Sequence, residues 1–268
     1  MELIRLTTRL TLFTVFLALT ALLAGSLGLV ETLVRRRIDR APFARFCFAG
    51  ASRCLGFRVS TQGTFSRRPV LYVSNHISWS DIPVLGSMVP LRFLSKAEVG
   101  RWPVIGWLAK QAGTLFILRG SGKAGQARRE MATTLMSGQS VLVFPEGTTT
   151  SGVTVLPFHS RLLQAAADAG VEIQPISIGY LRNGHPDHLA PFIGDDEFHH
   201  HLVRMLRQPA VEVGIIAHPP VAPTCSNELS ELSGELQKTV REGLWQIQAG
   251  WPSDREAARP AVIASPDV

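Results

Sequence analysis

Pro69-Val-Leu-Tyr-Val-Ser-Asn-His-Ile-Ser-Trp-Ser-Asp81 decides how this chain is read. A hydrophobic run of strand character, Pro69 to Val73, stops there and hands over to a polar loop and then to a new helix. His76 and Asp81 are five apart, which on one continuous helix would leave them roughly 140° apart in azimuth. They can meet if His76 lies in the loop and Asp81 in the first helical turn. A carboxylate is favoured at that helix end and can hold one imidazole nitrogen, leaving the other free as a base. The plainer alternative is a turn in which Asn75, Ser78 and Asp81 cap a helix and His76 is a surface residue.

Outward from this stretch, hydrophobic runs alternate with helical patterns. Phe57 to Thr61 reads as a strand, Asp81 to Met88 as a helix, Leu91 to Leu94 as a strand and Trp102 to Gln111 as a helix. Thr114 to Leu118, Ser140 to Phe144 and Glu172 to Ile178 read as strands, with helices at Lys123 to Met136 and Arg161 to Ala169 between them. Helices at Asp196 to Arg207 and Asn227 to Ala249 flank a strand at Val211 to Ala217. Such alternation predicts an α/β fold, a mixed central sheet flanked by helices, with functional residues where strands end.

The N-terminus adds another kind of segment. Leu10 to Val30 contains no charged side chain, and its 21 residues span roughly 30 Å as a helix, enough for a bilayer core. Arg5 and Arg9 before it also suit a secretory signal, but the run is long and Arg35-Arg-Arg37, Arg40 and Arg45 follow at once. That basic flank favours an uncleaved anchor with the catalytic domain on the cytoplasmic face of the inner membrane. The expected organisation is therefore an N-terminal membrane-anchoring helix within residues 1–40, a catalytic domain over 41–249 and a flexible tail over 250–268.

With 46% hydrophobic and 18% charged residues the chain has material for a real core, which excludes a disordered or collagen-like protein. A net charge of +6 and a pI near 9.8 suit nucleic acid or an anionic membrane. The arginines abut an apolar span and no nucleic-acid recognition module is visible, so the membrane is the expected partner and nucleic acid is not. Cys47, Cys54 and Cys225 form no disulfide framework, and Cys47 and Cys54, seven apart on a helix over Ala41 to Leu55, read as small buried hydrophobes. Gly120-Ser-Gly-Lys123 imitates a phosphate loop but has Ile117 and Ala124 where glycine and Ser or Thr belong. Asp195-Asp-Glu197 followed by His199-His-His201 could suggest a metal, yet consecutive histidines point to different helix faces, so no metal is expected.

Four stretches in order, Asn75 to Asp81, Gly113-Thr-Leu-Phe-Ile-Leu-Arg119, Phe144-Pro-Glu-Gly-Thr-Thr149 and Ile173-Gln-Pro-Ile-Ser-Ile178, resemble the four blocks of the lysophospholipid (glycerolipid) acyltransferase family. The resemblance covers about residues 60 to 185. It implies a membrane-bound O-acyltransferase moving a fatty acyl group from acyl carrier protein or coenzyme A to the free hydroxyl of a lysolipid, with no bound cofactor. His76 would be the base and Asp81 its orienter. Asn75, Arg119, Glu146, Gly147, Thr148, Thr149 and Pro175 would surround the acceptor, with Arg119 on its phosphate. One departure matters: family members that acylate lysophosphatidic acid usually read Glu-Gly-Thr-Arg, and the last position is Thr149 here. The branch acylating lyso-ornithine lipids resembles this variation and the Phe192-Ile-Gly-Asp-Asp-Glu197 stretch, so the acceptor stays open between lysophosphatidic acid and lyso-ornithine lipid. A lipid hydrolase using the same pair and a non-catalytic lipid-binding protein are the rival readings.

Overall fold

A computed structural model of the chain describes residues 1–117, 124–223 and 228–250. Its strands are β1 (Phe57–Gly63), β2 (Leu71–Ser74), β3 (Arg92–Lys96), β4 (Leu115–Ile117), β5 (Val141–Val143), β6 (Ile173–Arg182), β7 (His185–Pro186) and β8 (Val211–Ala217). The helices are α1 (Glu2–Val34), α2 (Ala41–Leu55), α3 (Asp81–Gly86), α4 (Ile105–Gln111), α5 (Ala124–Met136), α6 (Gln164–Ala169), α7 (Phe198–Arg207) and α8 (Leu229–Gly250). The strands form one mixed sheet in the order β1-β8-β6-β2-β5-β3-β4, with β7 folded back on β6. Neighbours from β6 through β4 run parallel, and β8 is antiparallel to β6. This is the mixed sheet flanked by helices that the alternating pattern predicts.

The central strands are short and apolar, as strands covered on both faces must be. Leu71, Val73, Val141, Val143, Ile173 and Ile176 are all without solvent exposure. β2 lies between β5 and β6, with Val73 opposite Val143 on one side and Ser74 opposite Ile176 on the other. The chain leaves β2 for β3 and leaves β5 for β6, so the two exits diverge above this strand pair. A crevice at such a divergence is the usual binding place in a parallel sheet.

Several helices differ from the sequence pattern at their ends. α3 stops at Gly86 rather than Met88, and α4 begins at Ile105, three residues past Trp102, because Val99–Arg101 forms a separate 3₁₀ turn and Pro103 interrupts the pattern. α6 is shortened in the same way by a 3₁₀ turn at Ser160–Leu162. β6 runs four residues past Ile178, to Arg182, because β8 pairs with it over Ile176 to Leu181.

α8 lies across β6 at close range. A Cβ on Gly243 would sit 2.2 Å from Ser177 Oγ, and one on Gly179 would sit 2.8 Å from an Ile247 methyl. Its apolar stripe of Leu229, Leu232, Leu236, Val240 and Leu244 is buried, as its spacing predicts.

α1 and α2 form an antiparallel pair beside this domain. The pair is pinned by Arg40 to Glu31 at the turn, while at the far end Arg5 donates to Arg207 O and Arg9 to Gln208 O, both at 2.9 Å. Those carbonyls close α7, where cations are favoured by the helix dipole. Phe13 is buried and Leu6 and Leu17 pack on the core, whereas Leu12, Val15, Leu19, Leu22 and Leu29 on the other side are exposed. α1 is long and apolar enough to cross a membrane, but one face of it rests on the protein along its length.

Candidate active site

The C-terminal ends of β2 and β5 carry the site. His76 is in the loop after β2 and Asp81 is the first residue of α3. His76 Nδ1 lies 2.7 Å from Asp81 Oδ2, and the same oxygen accepts the Ile77 N–H at 2.8 Å and the Ser78 N–H at 3.0 Å. The carboxylate therefore folds the loop around itself while holding the imidazole. Phe144, leaving β5, stacks flat on the His76 ring, with centroids 3.9 Å apart and planes 11° apart. With Nδ1 held by Asp81 and one face covered by Phe144, His76 borders a cavity of about 610 Å³.

The cavity is mostly apolar. α1 and α2 form one wall with residues such as Phe16, Leu23 and Phe43, while Trp79, Ile82 and Phe198 belong to the catalytic side. Gly147, Thr148 and Thr149, which the family resemblance expects around the acceptor, also line it.

The other expected site residues are placed differently. Glu146 is buried behind the loop: its Oε1 accepts the His76 N–H at 2.7 Å and its Oε2 accepts the Leu156 N–H at 2.8 Å. Burial pushes its carboxyl up to about 7, against those two backbone bonds and with the nearby Asp81 charge adding to the rise. Asn75 exchanges two 2.9 Å hydrogen bonds with the Ile178 backbone and so continues the β2–β6 pairing through a side chain. Pro175 is buried within β6, where its carbonyl accepts the His218 N–H. Arg119, Cys225 and the Gly120 to Lys123 stretch lie outside the described residues. Cys47 and Cys54 are half-buried free thiols, raised by desolvation, and Cys47 sits on the cavity wall.

Of the three histidines only His201 turns away into the core; the rings of His199 and His200 lie 4.0 Å apart at the surface, closer than expected of consecutive histidines pointing to different helix faces. His201 is fully buried and accepts the Trp79 Nε1–H at 3.0 Å while its Nε2 faces Pro191 O, an arrangement of the neutral ring that fits its lowered pKa through burial and Arg204. Among the described residues Glu197, His199 and His200 bring ligand-type atoms within 4.8 Å of one another, all three exposed at the start of α7.

The match to known proteins follows the same residues. Residues 56–179 fit the Acyltransferase family model. A lyso-ornithine lipid O-acyltransferase of Pseudomonas aeruginosa is 45% identical over 230 residues, covering 86% of this chain and 87% of that one. The chain belongs to the acyltransferase family. A 1-acyl-sn-glycerol-3-phosphate acyltransferase of Neisseria gonorrhoeae is 36% identical over 143 residues, 53% of this chain and 56% of that one. Among solved structures, the 1-acyl-sn-glycerophosphate acyltransferase PlsC of Thermotoga maritima superimposes with a TM-score of 0.66 at 25% identity, covering 94% of this chain and all of that one. As an acyltransferase acting on lysolipids, the protein takes an acyl donor and a lysolipid acceptor.

Sequence reasoning missed several contributors around this acyltransferase pair. Phe144 stands out only as the head of the third family block, Tyr180 lies two residues past the predicted strand end at Ile178, and Phe192 only opens the Phe192 to Glu197 stretch. Phe192 ties the two site loops together, its N–H donating to Ile77 O in the loop after β2 at 3.0 Å and its carbonyl accepting the Thr149 hydroxyl from the loop after β5.

Proposed function

We propose that this acyltransferase moves a fatty acyl group from a carrier thioester, acyl carrier protein or coenzyme A, to the hydroxyl of a lyso-ornithine lipid. Thr149 carries the choice of acceptor. Its hydroxyl donates to Phe192 O, so the loop after Glu146 offers a lipid headgroup no cation where lysophosphatidic acid enzymes of the family usually have arginine. A phosphomonoester calls for clustered charge-assisted bonds, and an amino-acid headgroup does not. Matches named lyso-ornithine lipid O-acyltransferase, from Pseudomonas aeruginosa and Brucella abortus among others, extend over 75 to 86% of the chain, which supports the same choice.

In this reading His76 Nε2 takes the proton from the acceptor hydroxyl as its oxygen attacks the thioester carbonyl. The tetrahedral intermediate then expels the thiolate, which recovers the proton from the imidazolium. Asp81 holds the ring in the required tautomer and stabilises its charged form. Glu146 acts from behind, through the backbone of His76. The apolar cavity walled by α1 and α2 takes acyl chain. Residues 1–40 serve as the anchor and 41–249 as the catalytic domain, with α2 completing the anchor's helix pair. The arginines at 35–37, all exposed beyond the end of α1, support placing the domain on the cytoplasmic face of the inner membrane.

Purified protein given lyso-ornithine lipid or lysophosphatidic acid, each with acyl carrier protein and coenzyme A donors, tests this. Diacyl ornithine lipid as the faster product is expected. Faster phosphatidic acid formation would return the acceptor to the glycerophosphate class, and release of free fatty acid alone would make the protein a hydrolase.

A further inference from the structure

Asp81 has a second oxygen that the His76 pair does not use. Oδ1 accepts a 2.6 Å hydrogen bond from the Tyr180 hydroxyl, which in turn accepts one from Ser80 Oγ at 2.9 Å. Tyr180 is on β6, 99 residues away in sequence, and both Asp81 and the tyrosine are buried, Asp81 completely. No water can replace this donor without a rearrangement of the core.

We propose that Tyr180 is a positioning residue of the acyl-transfer reaction, acting on His76 through Asp81. This rests on the reading of His76 and Asp81 as the catalytic pair. Asp81 carries three donors on Oδ2, and the Tyr180 bond is what fixes the rotation of the carboxylate about them and spreads its charge over both oxygens. Ser80, the residue before Asp81, directs the phenol by donating to its lone pair, so the phenolic proton is committed to Asp81. Tyr180 is buried near the end of β6, where phenylalanine would fill nearly the same volume but could not donate to Asp81.

The test is Tyr180→Phe, assayed for kcat, KM and the pH dependence of the rate, and repeated in an Asp81→Asn background. Loss of the donor disfavours the state in which Asp81 is charged and His76 neutral, the form that accepts the acceptor's proton. The acid limb of the rate profile therefore moves to higher pH. The other titratable groups facing the pair are Glu146 behind the loop, Arg40, Cys47, Lys96, Glu98 and His159 around the cavity, and His201 through Trp79. None of these is touched by the substitution.

The expected result is a fall in kcat of about 10- to 100-fold with KM little changed. The acid limb is displaced upward, and no further loss occurs when Tyr180→Phe is added to Asp81→Asn. A parental rate and profile in Tyr180→Phe overturn the proposal, as does an equal loss in both backgrounds, which would mark a purely structural effect. Should Tyr180→Phe fail to fold, Ser80→Ala is the second variant. It is expected to move the acid limb in the same direction by less, and an unmoved limb there overturns the proposal. Full activity in His76→Ala would instead overturn the catalytic reading itself, independently of Tyr180.

Discussion

At the scale of single residues, the site is a set of constraints on one imidazole. Removing it in His76→Ala is expected to cost about 10²-fold or more in transfer with an unchanged unfolding profile, measured on purified protein. Glu146 makes a separate, pH-dependent contribution. Its carboxyl is raised from 4.5 to about 7, so the folded state holds its proton more tightly than the unfolded chain does. The stability it contributes is fully present below about 4.5 and is lost as pH rises to about 7, on the order of 3 kcal/mol in all. Denaturant midpoints followed over that window should fall in the parent more steeply than in Glu146→Gln, whose amide does not titrate. The acceptor is tested at Thr149: Thr149→Arg should improve use of lysophosphatidic acid relative to lyso-ornithine lipid by ~1–3 kcal/mol if its guanidinium meets the phosphate. An unchanged ratio would place phosphate recognition elsewhere. The His76 and Asp81 meeting was legible because a strand end, a loop and a helix start follow one another within a few residues. Tyr180 and Phe144 were not legible as partners of the pair, since Tyr180 lay past the predicted strand end at Ile178 and the apolar run ending at Phe144 leaves open which ring it covers.

At the scale of elements, the sheet was legible in kind and the helix ends were not. The strands were announced by apolar runs bounded by turns, whereas the helix starts of α4 and α6 were set by 3₁₀ turns at Val99–Arg101 and Ser160–Leu162 that the pattern does not mark. The extension of β6 depends on β8, which arrives about thirty residues later and carries no mark of its partner. Close contact between α8 and the sheet makes a sharper demand. Gly243→Ala places a methyl against Ser177 Oγ and 2.6 Å from His218 Nε2, so either these side chains or α8 must shift. A loss of about 1–3 kcal/mol is expected in equilibrium unfolding. The two polar groups it meets are themselves paired, Ser177 Oγ with His218 Nε2 at 2.8 Å and with Val240 O at 2.8 Å, which limits how they can yield.

At the scale of the whole molecule, α1 joins two surfaces that would otherwise be unrelated. Its outward side presents Leu12, Val15, Leu19 and Leu22 to the surroundings, and its inward side carries Phe16 and Leu23 on the cavity. The protein is expected to sediment with membranes and to stay there in high salt, because apolar burial is not screened. Leu12→Glu combined with Leu19→Glu, both on the exposed side, should release it into the soluble fraction with little change in unfolding midpoint. Retention of that double variant on membranes would show that attachment lies elsewhere.

The shared wall also sets how the enzyme meets its acceptor. With α1 in the leaflet, as proposed above, a lysolipid reaches the cavity that α1 walls from within the bilayer, so its approach is a two-dimensional search. The concentration that governs turnover is then the mole fraction of lysolipid in the bilayer, not its amount per volume. Adding inert phospholipid at fixed total lysolipid should slow the reaction by surface dilution, while diluting the vesicles with the donor concentration held constant should leave the rate per enzyme unchanged.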